Sequence, residues 1–183
     1  MSENTRHGHL PRLAPEYYRG LAVVHWVMTV GDRQTGWLTP QFHAQCREAL
    51  LHTMVRYSLL SPAYCLMPDH AHFVWMGLDE ASDLKLAAEF FRRQTNSLLA
   101  PMSWQKEPFD HVLREHERKR GAFGSVCYYV LENPVRKGLA EKWADWAFSG
   151  AILPGYPDVD PRREDFWDVF WEIYYKRVDP SAP

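Results

Sequence analysis

LLSPAYCLMPDHAHFVWMG, residues 59–77, is the stretch whose reading decides the fold. Two short apolar runs flank Pro68-Asp69, a turn-forming pair, which predicts two antiparallel strands joined by a tight turn. Side chains alternate faces along a strand, so His70 and His72 project together while Ala71 and Phe73 project the other way. Two imidazoles on one side of an apolar strand can share a single ion. Core or solvated histidines are the commoner explanation of such a pair, and spacing by itself is a weak signal of a metal site.

Upstream, LAVVHWVMTV (residues 21–30) is rich in β-branched and aromatic residues and predicts a strand, closed by the turn-like GDRQTG. TPQFHAQCREALLHTMVRY (39–57) opens on a threonine cap followed by proline and repeats its apolar residues at helical spacing. Downstream, Ser82 is expected to cap a second helix running to about Leu99, with Leu84, Leu86, Ala87, Phe90, Phe91 and Leu98 as its apolar stripe. PFDHVLREH (108–116) predicts a strand, and RGAFGSVCYYVLENPVRKGL (120–139) a helix interrupted near Asn133-Pro134. The order β-α-β-β-α-β-α is that of the split βαβ, or ferredoxin-like and RRM-like, plan. The expected fold is therefore an α+β sandwich with a four-stranded antiparallel sheet and an added helix that carries a tyrosine. Residues 1–17 read as an N-terminal arm, 18–150 as the main domain, and 151–183 as an acidic, aromatic tail with a short helix over REDFWDVFWEIYYKR (163–177).

With 183 residues, 46% of them hydrophobic and eight of them tryptophan, the chain can bury a real core without staples, which excludes a disordered protein. No apolar run approaches the roughly 20 residues that span a bilayer, and MSENTRHGHLPR lacks the apolar centre of a secretion signal. A cytoplasmic location is expected. Cys46, Cys65 and Cys127 are far apart and lie among apolar residues, so reduced, buried thiols are expected rather than a disulfide framework or a thiolate metal site. The formal charge of −2 conceals a division: Lys85 to Lys142 holds 11 Lys/Arg against 7 Asp/Glu, whereas Asp145 to Pro183 holds 4 against 8. A basic middle precedes an acidic end.

A reacting group for the histidine pair must come from elsewhere in the chain. If Tyr129 is helical, Asn133 lies four residues on along the same face, so the phenol and the carboxamide oxygen can converge. Tyr128 then points about 100° away. Asn-Pro is also a common helix start, and tyrosines at helical spacing usually pack in a core, so on the local pattern alone the capping and packing role is the stronger reading.

MPDHAHFVW, FDHVLRE and YVLENPVRKGLA occur here in the order found in one family. Over about residues 18–150 the chain resembles the REP-associated tyrosine transposases, a branch of the single-tyrosine HUH transposases. The resemblance implies that His70, His72 and Asn133 bind a divalent metal, Mg²⁺ or Mn²⁺, and that Tyr129 is the nucleophile. It implies a single-strand DNA endonuclease and strand transferase that forms a 5′-phosphotyrosine at hairpin-forming repeats, in a bacterial, nucleoid-associated setting. The alternative is a domesticated protein that binds hairpin DNA without cutting it. The partner in either case is single-stranded or hairpin DNA, with the protein acting as a monomer or, alternatively, as a homodimer.

Phosphate contacts would come from the basic middle, where Lys85, Arg92, Arg93, Arg114, Arg136 and Lys137 are the candidates, joined by Arg118, Lys119 and Arg120. Each is equally readable as part of a solvated face. His111 and Arg114 sit in a family motif and are expected near the site or at an ordinary strand end. Trp104, Trp143 and Trp146 could stack on unpaired bases or pack the tail onto the body.

Overall fold

The computed structural model describes residues 13–114 and 121–179. Five strands form one antiparallel sheet: β1 (Val23–Thr29), β2 (Leu59–Leu66), β3 (His70–Gly77), β4 (Phe109–Val112) and β5 (Ser149–Ile152), in the order β4-β1-β3-β2-β5. The first four have the ferredoxin-like order, and the α+β plan read from the sequence holds. The sheet gains a fifth strand, β5, beside β2. Its four residues, Ser-Gly-Ala-Ile, are too short and too plain to announce a strand.

β2 and β3 are the hairpin expected at Pro68-Asp69, and the Met67 N–H donates to the His70 carbonyl at 2.7 Å to close the turn. Pro62 lies inside β2, where proline cannot donate to a ladder. The register breaks there on both sides, between Leu60 and Ala63 toward β3 and between Ser61 and Tyr64 toward β5. A bulge thus accommodates the proline within a fully buried strand.

Helix α1 (Pro40–Arg56) starts as read from the sequence: the Phe42 N–H donates to Thr39 Oγ1 at 3.1 Å, with Pro40 in the first turn. α2 (Leu84–Leu99) is capped by Asp83, not Ser82; Asp83 Oδ1 accepts from the Lys85 and Leu86 N–H groups. Ser82 Oγ instead accepts from the Leu78 N–H and donates to the Ser58 carbonyl, tying the two loops together. α3 (Ala122–Leu131) and α4 (Asn133–Arg136) are the interrupted helix, joined at Glu132, whose backbone stays in the right-handed region. α5 (Phe166–Val178) is the expected tail helix.

Both faces of the sheet are covered. Trp26, Met28, Phe73 and Trp75 meet α1 and α2 on one side, where Phe91 packs edge-on against both Phe73 and Trp75. Val23, Cys65, Val74 and Met76 meet α3 and α5 on the other, where Phe123 of α3 touches Trp167, Phe170 and Trp171. Full burial of each such side chain contributes about 1.5–3 kcal/mol. Double coverage explains why β2 and β3 read as continuous apolar runs rather than as alternating strands. Cys46, Cys65 and Cys127 are all buried free thiols.

Candidate active site on the histidine face

Alternation along β3 places His70 and His72 on the α3 side of the sheet, beside Val74 and Met76. Their Nε2 atoms lie 3.0 Å apart. Adjacent donors to an octahedral ion with bonds of 2.0–2.1 Å stand about 2.9 Å apart, so the spacing fits two ligands of one cation. His70 Nδ1 is 2.6 Å from Asp69 Oδ1, and Arg33 donates to the other carboxylate oxygen at 2.7 Å. Partial burial pushes the Asp69 carboxyl up, but the hydrogen bonds from His70 and Arg33 prevail and hold it below its ordinary value. Burial brings His72 down to about 3, helped by the neighbouring His25 and His70. It is thus a neutral imidazole at neutral pH, the form that ligates a metal.

Tyr129 stands over His72 and lies edge-on to His25, their ring centroids 6.1 Å apart. Its ring centroid is 6.0 Å from that of His72, with the planes perpendicular, and the residue is 39% exposed. The Arg136 guanidinium sits 5.0 Å over the tyrosine ring. Asn133 is buried, and its Nδ2 donates to the Tyr129 carbonyl at 2.9 Å, which leaves the carboxamide oxygen free of that bond. α3 and α4 therefore bring Tyr129, Asn133 and Arg136 to one end of the tyrosine helix. Tyr128 projects into solvent, and a hydrogen bond with Glu132 raises its phenol above the ordinary value.

Among the described residues no group of three or more His, Cys, Asp or Glu is arranged to hold a metal ion.

The sequence reading missed His25. It lies in β1, is 8% exposed, and places Nε2 3.0 Å from His72 Nδ1, on the ring edge away from the nitrogen that faces His70. Burial first, then His111, lowers it to about 4. The one available signal was a lone histidine in the apolar run LAVVHWV; its partner depends on strand register, which no local pattern encodes. His111 is paired directly across from His25 in the β1–β4 register, so the same face carries it too.

The basic candidates divide. Arg136 ends α4 against the Tyr129 ring, Lys137 follows it as the C-cap, and both are exposed, as is Arg114 just after β4. Lys85, Arg92 and Arg93 belong to α2, on the opposite face of the sheet; Lys85 and Arg92 line a recess with Tyr18, Trp26 and Lys106, and Arg92 donates to the Gln105 carbonyl. Arg118, Lys119 and Arg120 lie outside the described residues. Trp104 and Trp146 are packing residues, their indole N–H groups bound to Thr95 Oγ1 and the Leu66 carbonyl. Trp143 lies under the Arg162 guanidinium.

A five-stranded antiparallel sheet that presents a histidine pair to a tyrosine on a covering helix places this chain in a recognisable structural class. No protein-family model matches the chain. A Haemophilus influenzae protein provisionally named a REP-associated tyrosine transposase is 26% identical over 140 residues, covering 68% of this chain and 76% of the relative. The Escherichia coli strain K12 REP-associated tyrosine transposase is 24% identical over 131 residues, covering 68% of this chain and 74% of that protein. The solved structure of a REP-associated tyrosine transposase bound to a REP hairpin superposes with a TM-score of 0.61 at 22% identity, over 81% of this chain and 82% of that one. The chain is thus similar in sequence and in fold to REP-associated tyrosine transposases, the family its motifs resemble. Among the described residues no helix is long and apolar enough to cross a membrane.

Proposed function

We propose that the protein cuts and rejoins single-stranded DNA at hairpin-forming repeats through a covalent tyrosine intermediate. The observation that carries this reading is the Tyr129 ring 6.0 Å from His72, one of two histidines whose spacing suits a single cation. His70, His72 and Asn133 would hold Mg²⁺ or Mn²⁺, which would polarise the phosphodiester and take up charge developing on its oxygens.

The chain's own groups do the rest. Tyr129 Oη gives up its proton and attacks phosphorus in line with the 3′-oxygen of the preceding nucleotide. The P–O3′ bond breaks, leaving a 5′-phosphotyrosine and a 3′-oxygen that takes a proton. Attack by a 3′-hydroxyl in the reverse sense frees the tyrosine and rejoins the strand, with no external energy source. Arg136, which already lies against the Tyr129 ring, meets the non-bridging phosphate oxygens, and Asp69 keeps the His70 ring in orientation. Arg114 and Lys137 would extend this contact along the same strand. Lys85, Arg92 and Arg93 would reach only DNA that wraps around the β4 edge. A cytoplasmic, nucleoid-associated monomer suits this chemistry, since Tyr129 and the histidines are supplied by one chain.

Incubation with a hairpin-bearing single strand and Mn²⁺ should give a protein–DNA band that survives a denaturing gel. Tyr129→Phe should abolish it and Tyr128→Phe should keep it. An undiminished adduct in Tyr129→Phe rejects the assigned nucleophile. Hairpin binding without an adduct under any divalent ion favours a non-cleaving DNA-binding protein.

A further inference from the structure

His25 touches the proposed metal site without a role in the chemistry above. The β1–β3 register pairs Val27 with His72, so His25, two residues earlier, faces the same side as His72 and meets it diagonally. The two rings lie 20° from parallel with Nε2 of one 3.0 Å from Nδ1 of the other. Three contacts thus run in series: Asp69 to His70 at 2.6 Å, His70 to His72 at 3.0 Å, and His72 to His25 at 3.0 Å.

Hydrogen accounting gives this series a direction. A carboxylate only accepts, so at a pH that leaves all three imidazoles neutral His70 has its hydrogen on Nδ1 and a lone pair at Nε2. His72 then donates from Nε2 to His70, and its Nδ1 accepts from the Nε2–H of His25. With both Nε2 lone pairs turned to a cation, His72 carries its hydrogen on Nδ1 instead and donates to His25. The last hydrogen bond reverses while the rings stay in place.

We infer that His25 is the positioning residue for His72: it holds that ring by donating to Nδ1 when the cation is absent and accepting from Nδ1 when it is bound. An imidazole can do both at one point in space, whereas a carboxylate could only accept and an apolar side chain would leave a buried Nδ1 unsatisfied. This role rests on the metal reading proposed above.

Manganese titration by calorimetry separates the two. Wild type should bind one Mn²⁺, and His25→Phe should bind it 10–100-fold more weakly, the usual effect of removing a metal ligand's orienting partner. His25→Gln, which can also donate or accept, should recover part of the loss. ¹⁵N imidazole shifts in the wild-type protein give a readout that needs no variant: His25 should be the Nε2–H tautomer in EDTA and the Nδ1–H tautomer in saturating Mg²⁺. Unchanged Mn²⁺ affinity in His25→Phe, or a His25 that stays Nε2–H in Mg²⁺, overturns the positioning role alone. Failure of the wild-type protein to bind Mn²⁺, or binding that His72→Ala leaves intact, overturns the metal reading and the positioning role with it.

Discussion

Lowering the pH of the metal-free protein from 7 to 5 should remove about 4 kcal/mol of stability, because His25 and His72 are buried as neutral imidazoles. In the unfolded chain both titrate near 6.5; in the folded protein they sit at about 4 and about 3. The unfolded state therefore binds more protons below 6.5. The stabilisation is complete above that value and is lost as the pH falls through it toward the folded values. At pH 5 an unfolded imidazole is roughly 30 to 1 in favour of the charged form while each folded one stays largely neutral, a cost of about 2 kcal/mol per residue. His43, half-buried and lowered to about 4 by burial and then by Arg47 and Arg162, adds a smaller amount in the same direction. Asp69 does not contribute in this window, since a lowered carboxyl loses its stabilisation only below the ordinary value of 3.8. Urea unfolding in EDTA at 25 °C, followed by tryptophan fluorescence at pH 7 and pH 5, measures the difference. Domains of this kind have about 5–15 kcal/mol in total, so the change is large. His25→Phe should shrink it by about 2 kcal/mol. A wild-type change below about 1 kcal/mol would refute the reasoning that the pair is held neutral by burial.

A Cβ on Gly77 would lie 1.8 Å from the Gly20 carbonyl oxygen, so Gly77→Ala should cost about 3 kcal/mol, whereas Gly124→Ala, facing open space on α3, should gain about 0.5–1 kcal/mol; urea midpoints of the two variants test the contrast. Arg162 donates to the Ala144, Trp146 and Ser149 carbonyls while lying over Trp143, and Arg162→Ala should lower stability by about 2 kcal/mol and speed limited proteolysis between α4 and β5.

Local chemistry made most of the sandwich legible. Thr39-Pro40 starts α1, Pro68-Asp69 turns the central hairpin, and Asn133-Pro134 breaks the tyrosine helix where the sequence says it does. Ser82 and Asp83 are both good caps, and nothing in the sequence ranks them. The choice falls to Asp83 because Ser82 is engaged by Ser58 and Leu78, contacts made only after folding. Alternation aimed His70 and His72 at one point, and helical spacing set Asn133 behind Tyr129. That the tyrosine helix covers the histidine face and α2 the other could not be read, since both helices are amphipathic and topology alone decides which layer each joins. Arg92 and Arg93 consequently face away from Tyr129 despite their place in the basic middle. His25 escaped notice for the same reason: a diagonal neighbour across two strands has no signature along either one.

The contact of Phe123 with Trp167, Phe170 and Trp171 has a bearing on how the protein would work when it is scarce. Those rings clamp the tyrosine helix to its own chain, so lifting Tyr129 away from His72 would also expose a large aromatic surface to water. In the function proposed above, tyrosine and histidines would then meet without an encounter between two copies. Adduct formation under excess DNA should then be first order in protein down to great dilution.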